Sequence, residues 1–223
     1  VFFIDEFQEV SVVAASKGIE GAIRSVAQES EYLSFIFSGS SRHLLGQMFE
    51  DRSRPLYKLC DKMALERIER IDYIRYIQHC AKKTWRAELG DAVIEQFFML
   101  TERHPYYLNL LCGRVWQHFE TKPPSLARQV QLIWQGYLEE SKSEVARELS
   151  NLTDLQVKLL MAIARGEQSK LIGKAVVLNF NVTQPATSKA LAQLEQKDYI
   201  VKEPGVGVTL IDPLIKAILI AVS

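Results

Sequence analysis

The sequence has no excess of charge of either sign. Its 223 residues contain 27 Lys and Arg and 27 Asp and Glu, so the formal net charge is zero. This balance excludes a strong basic or acidic field over the whole surface, which would draw the chain to nucleic acid or to an anionic membrane. Any binding to DNA must therefore depend on a local patch.

Cysteines and long apolar runs are also scarce. The three cysteines (Cys60, Cys80 and Cys112) are far apart and odd in number, which favours reduced thiols over a disulfide framework. The most apolar run, residues 214–222, is too short to span a bilayer and contains Lys216. We recognise no signal peptide, and we predict a cytoplasmic protein with no membrane partner.

A phosphate-binding loop is the third absence, since no stretch matches G-x-x-x-x-G-K-[ST]. The chain opens instead with Val1-Phe2-Phe3-Ile4-Asp5-Glu6 and does not begin with Met. Four apolar residues without alternation predict a strand that is buried on both faces, as in a parallel sheet. Two adjacent carboxylates end this strand.

Residues 1–62 show the pattern strand, helix, strand, helix. The helix after the first strand should bury Ile19, Ala22, Ile23, Val26 and Ala27 on one face. A second strand, Leu33–Phe37, precedes Ser38-Gly39-Ser40-Ser41, so we predict two parallel strands with a right-handed crossover. Two strands are too few for such a sheet, and the edge at Leu33–Phe37 should promote self-association or local disorder.

Residues 63–149 carry only helical periodicity. One helix should bury Ile71, Ile74, Ile77, Ala81 and Trp85, and a second should bury Val93, Ile94, Phe97 and Phe98. A third begins at Pro105, which suits a first helical turn, and should bury Leu108, Leu111, Cys112, Val115, Trp116 and Phe119. Lys122-Pro123-Pro124-Ser125 precedes a long helix from about Leu126 towards Leu149.

Residues 150–223 have a different pattern. Helices are predicted from Thr153, over about Lys170–Asn179, and from Thr183 to Lys197. Two apolar stretches flank a turn at Pro204–Gly207 and predict a hairpin. Three helices followed by a hairpin is the order of a winged helix-turn-helix domain.

Several stretches together resemble one family. They are Phe2-Phe3-Ile4-Asp5-Glu6-Phe7-Gln8, Phe35-Ile36-Phe37-Ser38-Gly39-Ser40-Ser41, Arg54-Pro55-Leu56-Tyr57, His104-Pro105-Tyr106-Tyr107-Leu108 and Ile211-Asp212-Pro213-Leu214. In order and spacing they resemble the archaeal-type P-loop ATPases of the STAND/AAA+ class. The resemblance implies a mainly α fold with a partial α/β P-loop sheet. It also implies three domains: part of the ATPase core (1–62), a helical lid domain (63–149) and a winged helix-turn-helix domain (150–223).

The resemblance also implies a chemistry. Asp5 would hold Mg²⁺ through water and Glu6 would activate the attacking water, while Ser38, Ser40, Arg42, His104 and Pro105 would sense the nucleotide. The family's phosphate loop and its Gly-Arg after Pro-Leu-Tyr are missing, so a basic group near the nucleotide would be either lost or supplied by a neighbour such as Arg52 or Arg54. We expect an N-terminally truncated fragment of an ATPase that binds ATP and Mg²⁺, whereas these residues alone should not bind ATP tightly.

Simpler interpretations exist for the same residues. Asp5 and Glu6 would then be an acidic strand end, Ser40 or Ser41 a helix cap, and His104-Pro105 an ordinary helix start.

Two further hypotheses concern the winged helix. It could contact DNA through Thr183, Gln184, Thr187, Ser188 and Lys189, although its charge is modest. Alternatively, it could dock on the ATPase core or on a protein partner.

Overall fold

The computed structural model describes residues 1–13, 16–65, 67–167, 171, 180–203, 205 and 207–221, and for Ser16, Arg42 and Glu203 the backbone alone. It is mainly helical with two small sheets, which confirms the mainly α class. The chain divides into two compact units. The first is Val1–Ala64 with Gln196–Asp198, and the second is Leu65–Glu195 with Tyr199–Ser223.

The first unit contains a two-stranded parallel sheet. Its elements are β1 (Phe2–Ile4), a 3₁₀ helix (Phe7–Val12), α1 (Ser16–Glu29), β2 (Phe35–Phe37) and α2 (Arg42–Glu50). Phe2, Phe3 and Ile4 pair with Phe35, Ile36 and Phe37, so the predicted parallel pairing is confirmed. The Ser41 hydroxyl accepts a hydrogen bond from Leu44 N (3.5 Å) and caps α2, as the simpler interpretation of Ser41 predicted.

The core of the first unit is small. Phe7, Met48 and Leu56 are buried, and Ile4 and Phe37 pack against them. Phe2 and Phe3 are 54% and 63% exposed. Because neighbouring side chains of a strand point to opposite faces, the prediction that β1 is buried on both faces is wrong. Within the part of the chain described, β2 is the only strand that pairs with β1. A sheet of two strands is too small to have both of its faces covered.

Helix α1 directs a charged residue inward. Glu20 is fully buried and forms an ion pair with Arg54, and Arg24 Nη1 donates to the carbonyl oxygens of Pro55 (2.7 Å) and Tyr57 (3.1 Å). Ile19 and Val26, which were predicted to be buried, are exposed. The apolar periodicity was misleading here because the polar anchorage of the loop at residues 54–57 sets the orientation of the helix.

The second unit is built from helices and one hairpin. Its elements are α3 (Arg70–Trp85), α4 (Asp91–Thr101), α5 (Pro105–His118), α6 (Ala127–Leu149), α7 (Asp154–Ala164), α8 (Gln184–Gln196), β3 (Ile200–Glu203), β4 (Gly207–Leu210) and α9 (Pro213–Ala221). Strands β3 and β4 pair antiparallel, which confirms the hairpin. Thr153 and Gln156 form a reciprocal capping box at the start of α7, which confirms that helix start. The helix predicted over about Lys170–Asn179 lies outside the described residues.

One hydrophobic core runs through the second unit. It includes Phe97 and Leu111 from the predicted lid segment and Leu159, Leu194 and Ile218 from the predicted winged-helix segment. The boundary near residue 150 therefore stays a prediction. Among the described residues, no helix combines the length and apolar character needed to cross a membrane.

Helix α3 buries a slightly different face from the one predicted. Tyr73, Ile77, Ala81 and Trp85 recur every four residues and are buried, whereas Ile71 is 53% exposed. The prediction for Ile71 is wrong because Tyr73 takes the inward position in the first turn of this helix.

Candidate functional site

Two carboxylates protrude where β1 ends. Ser38 N donates to the Ile4 carbonyl oxygen (2.9 Å), and Phe7 N donates to the Ser38 carbonyl oxygen (2.9 Å). Both strands are thus held together just past their last paired residues, while Asp5 and Glu6 lie between these two hydrogen bonds and are exposed to solvent. The backbone pairing itself presents the two acids at the carboxyl end of the sheet.

The hydroxyl groups after β2 contact these same acids. Ser38 Oγ donates to Asp5 Oδ1, and Ser40 Oγ donates to Glu6 Oε2 (2.9 Å). Four of the predicted site residues, Asp5, Glu6, Ser38 and Ser40, are therefore in direct contact. We call them the acid–serine cluster.

Glu6 has an unusual backbone conformation. Its φ of 48° and ψ of 41° lie in the left-handed region, which residues other than glycine seldom adopt. Hydrogen bonds from the Gln8 side chain, then from the Ser40 side chain and backbone, lower the pKa of the Glu6 carboxyl. These hydrogen bonds favour the ionised form of the Glu6 carboxyl.

Gln8 is a site residue that the sequence analysis did not single out. Its side chain is buried, and Nε2 donates to Glu6 Oε2. A Cβ atom at position 39 would overlap Gln8 Oε1, so the absence of a side chain at Gly39 leaves room for Gln8 in this position. Nothing in the local sequence distinguishes Gln8 from an exposed glutamine, because its burial depends on the loop that follows β2.

The atoms of the acid–serine cluster that could bind a metal ion are carboxylate and hydroxyl oxygens, which are hard ligands. Carboxylate and hydroxyl oxygens, together with retained water, are the ligands that Mg²⁺ prefers, so Asp5 fits the role of holding the ion through water. Throughout the described ranges, no group of three or more His, Cys, Asp or Glu side chains is arranged to hold a metal ion. A bound ion would therefore need oxygens from the nucleotide or from water as well.

The basic residues considered for nucleotide sensing have different surroundings. Arg42 is the first residue of α2, but its side chain lies outside the description. The Arg54 guanidinium forms an ion pair with the buried Glu20 and thereby stabilises the loop at residues 54–57. Arg52 is exposed.

His104 and Pro105 belong to the second unit. His104 precedes α5, and Pro105 opens the helix as its first residue, which confirms the predicted helix start. His104 Nδ1 is buried and has no hydrogen-bond partner among the described residues. Burial first, and then the positive charge of Arg67, lowers the pKa of the His104 imidazole.

A tyrosine links two of the stretches that carry the family resemblance. Tyr107 Oη donates to Asp212 Oδ2 (2.6 Å), and Asp212 Oδ1 accepts from the backbone N of Leu214 (2.7 Å) and Ile215 (3.1 Å) at the start of α9. This contact was not predicted from the sequence. The two residues are 105 positions apart, and no local pattern pairs them.

The start of α8 presents part of the set proposed to contact DNA. Gln184, Ser188 and Lys189 are exposed, and Thr183 Oγ1 accepts from Ala186 N (3.4 Å) as a helix cap. Thr187 is only 2% exposed, and its hydroxyl donates to the Thr183 carbonyl oxygen (3.3 Å). Because a side chain turned into the core cannot reach DNA, we leave Thr187 out of the candidate interface.

Comparisons with known proteins add no identification. No protein-family model matches the sequence, and no curated protein is significantly similar to it. A function for this chain is therefore inferred from its own residues.

Proposed function

We propose that this chain is part of an ATP-driven molecular switch of the P-loop class. The observation that carries the proposal is the acid–serine cluster at the carboxyl ends of two adjacent parallel strands. Ligands of open α/β sheets bind at this end of the strands. Adjacent Asp and Glu at that place suit a metal holder and a base for attack by water.

Each member of the cluster has a distinct role in this proposal. Asp5 holds hydrated Mg²⁺, and the hydrogen bond from Ser38 fixes the orientation of its carboxylate. Glu6 accepts a proton from the attacking water, and the donors on Gln8 and Ser40 keep it ionised until then. The phosphoryl group would pass from ATP to water, with ADP as the leaving group, and the protein would contribute position and charge.

The phosphates of ATP need a cradle that these 223 residues do not contain. Backbone N–H groups and the Lys of a phosphate loop supply charge-assisted hydrogen bonds, each worth about 1.5–3 kcal/mol. We therefore propose that a loop outside these residues completes the site. The chain alone should bind ATP weakly, which titration with a fluorescent ATP analogue and Mg²⁺ would measure.

The decisive experiment uses a longer protein that contains both the phosphate loop and residues 1–223. Glu6→Gln keeps the size of the side chain but removes the base, so ATP turnover should fall at least about 100-fold while ATP binding persists. Glu9→Gln is the matched control, since Glu9 is exposed in the neighbouring 3₁₀ helix. Equal turnover in both variants would remove Glu6 from the mechanism.

We propose further that the helical segment and the winged helix act as one lid body that the nucleotide state repositions. The order α7, α8, β3, β4 supports a winged helix, and its side chains share a core with α4 and α5. The hydrogen bond from Tyr107 to Asp212 adds a polar link between the two segments. Such packing favours an intramolecular or protein-docking role over an independently moving DNA reader.

DNA binding remains a second candidate because Gln184, Ser188 and Lys189 are exposed at the start of α8. Fluorescence anisotropy with a labelled duplex tests it. Binding that weakens steeply with salt, and that is lost in a Gln184→Ala/Lys189→Ala variant, is the expected result for a DNA reader. The absence of binding at low salt would leave the docking role.

A further inference from the structure

A cavity lies between α3 and α5 in the second unit, separate from the acid–serine cluster. The two helices meet near their C-terminal ends. There the ring centroids of Trp85 and Trp116 are 4.3 Å apart, and Trp116 Nε1 donates to Thr84 Oγ1 (3.1 Å). Towards the N-terminal end of α3, the helices line a cavity of about 700 Å³ that is partly open to solvent. This volume falls within the range of about 300–1,000 Å³ for small-molecule sites.

The wall of the cavity is largely apolar and aromatic. Its apolar and aromatic lining residues include Ile68, Tyr73, Ile77, Leu108, Cys112 and Trp116. Gly113 also lines it, and a Cβ atom at this position would meet no atom within 4 Å. The cavity therefore has room beside α5 that a larger side chain would fill.

Tyr73 supplies an unpaired polar group to this apolar wall. Its side chain is only 4% exposed, and its hydroxyl has no hydrogen-bond partner among the described residues. Buried hydroxyl groups are normally paired, because an unpaired one loses its bonds to water without replacement. A phenol hydroxyl is protonated at neutral pH and can donate a hydrogen bond, and burial raises the pKa of Tyr73 further.

The charge around the cavity limits what can enter. Asp72 is the only charged side chain among the described lining residues, and Arg75 Nη1 lies 3.6 Å from its Oδ1. No Lys, Arg or His of the described chain lines the cavity. An anionic ligand would thus find no cationic side chain in the wall to pair with, whereas a neutral molecule needs none.

We propose that this cavity binds a neutral, largely apolar aromatic molecule that accepts a hydrogen bond from the Tyr73 hydroxyl. The aromatic and aliphatic wall supplies the apolar contact, and the hydroxyl fixes the orientation of the ligand. The proposal does not depend on the ATPase function, since every residue that carries it belongs to α3, α5 or the segment just before α3.

The test uses the full chain and Nile red, a neutral aromatic dye with a carbonyl acceptor. Fluorescence should rise to saturation at one dye per chain. Gly113→Leu, which fills the cavity, should weaken binding at least about tenfold, as expected when several apolar contacts are lost. Gly136→Leu is the matched control, because Gly136 is also an exposed glycine inside a helix with open space at its Cβ position.

Tyr73→Phe tests the hydrogen bond while keeping the aromatic ring. Loss of one neutral hydrogen bond should weaken dye binding about two- to tenfold. Unchanged thermal unfolding of each variant would show that the fold is intact. Equal binding by the Gly113→Leu and Gly136→Leu variants would overturn the site, and unaltered binding by Tyr73→Phe would overturn the role of the hydroxyl.

Discussion

The two units of the molecule distribute their apolar side chains in opposite ways. In Val1–Ala64, the buried apolar residues among those described are Phe7, Met48 and Leu56, whereas large side chains such as Phe3 (63% exposed) and Tyr32 (91% exposed) face solvent. The second unit encloses a continuous core that includes Phe97, Leu111, Trp134 and many others.

From this difference we predict that the second unit is stable by itself and that the first unit is not. Burial of apolar surface is the main favourable term in folding, and it must offset the conformational entropy of the chain. The second unit has enough core to do so. The first has a two-stranded parallel sheet with exposed faces, a form that rarely occurs without covering elements. The candidate catalytic acids thus belong to the less independent part.

Separation of the two units should give the largest effect. Residues 65–223 alone should unfold in one cooperative transition, since they contain the core of the second unit. Residues 1–64 alone should lack such a transition, because three buried apolar side chains cannot hold a domain of that size. Circular dichroism during thermal unfolding measures both. A cooperative transition of monomeric residues 1–64 would refute the dependence of the first unit.

A matched pair of leucines should sharpen the comparison in the intact chain. Leu111 and Leu56 are both fully buried, one in each unit. Leu111→Ala should lower the free energy of unfolding by about 2–5 kcal/mol. Leu56→Ala should leave the transition seen by tryptophan fluorescence within about 0.5 kcal/mol, because Trp85, Trp116 and Trp134 all lie in the second unit.

Urea unfolding followed by tryptophan fluorescence gives these values. Equal shifts for the two variants would mean that the units unfold as a single cooperative structure, and the contrast between them would then be lost.

The sheet edge offers a smaller effect, on association. Ile36 lies in β2 and is 51% exposed. If unpaired edges of the sheet cause self-association, Ile36→Lys should shift the protein towards monomer, because a lysine at an edge opposes pairing with another chain. Met99→Lys in α4 is the control, since it adds the same charge at an exposed apolar position of the second unit. Sedimentation velocity at high concentration measures the difference. A wild-type monomer with Leu33–Phe37 amides protected from exchange would contradict both self-association and local disorder.

The sequence predicted what depends on local pattern. Long helices such as Ala127–Leu149 follow from periodicity and flanking breakers, and the parallel pairing of β1 with β2 follows from the order strand, helix, strand. Contacts that depend on tertiary packing could not be predicted. From the sequence alone, Glu20 is expected at the surface and Ile19 in the core. The ion pair of Glu20 with Arg54 reverses both expectations because it fixes the orientation of the helix. Contacts over long separations, such as Tyr107 with Asp212, carry no local signal.

The smallest predicted effect concerns the pH dependence of the second unit through His104. Its ordinary pKa is 6.5, and burial followed by repulsion from Arg67 lowers it in the folded chain, with a smaller opposing effect from Asp212. As the pH falls, the unfolded chain therefore takes up the proton before the folded chain does. The free energy of unfolding is unaffected by His104 well above pH 6.5 and decreases as the pH falls below 6.5. For one proton the slope cannot exceed about 1.4 kcal/mol per pH unit.

Urea unfolding between pH 7.5 and 5.5 should show a shallower loss of stability for His104→Gln than for the wild type. His118→Gln, at an exposed histidine in the last turn of α5, should keep the wild-type slope. Identical slopes for all three proteins would mean that His104 does not couple proton binding to the packing of α5.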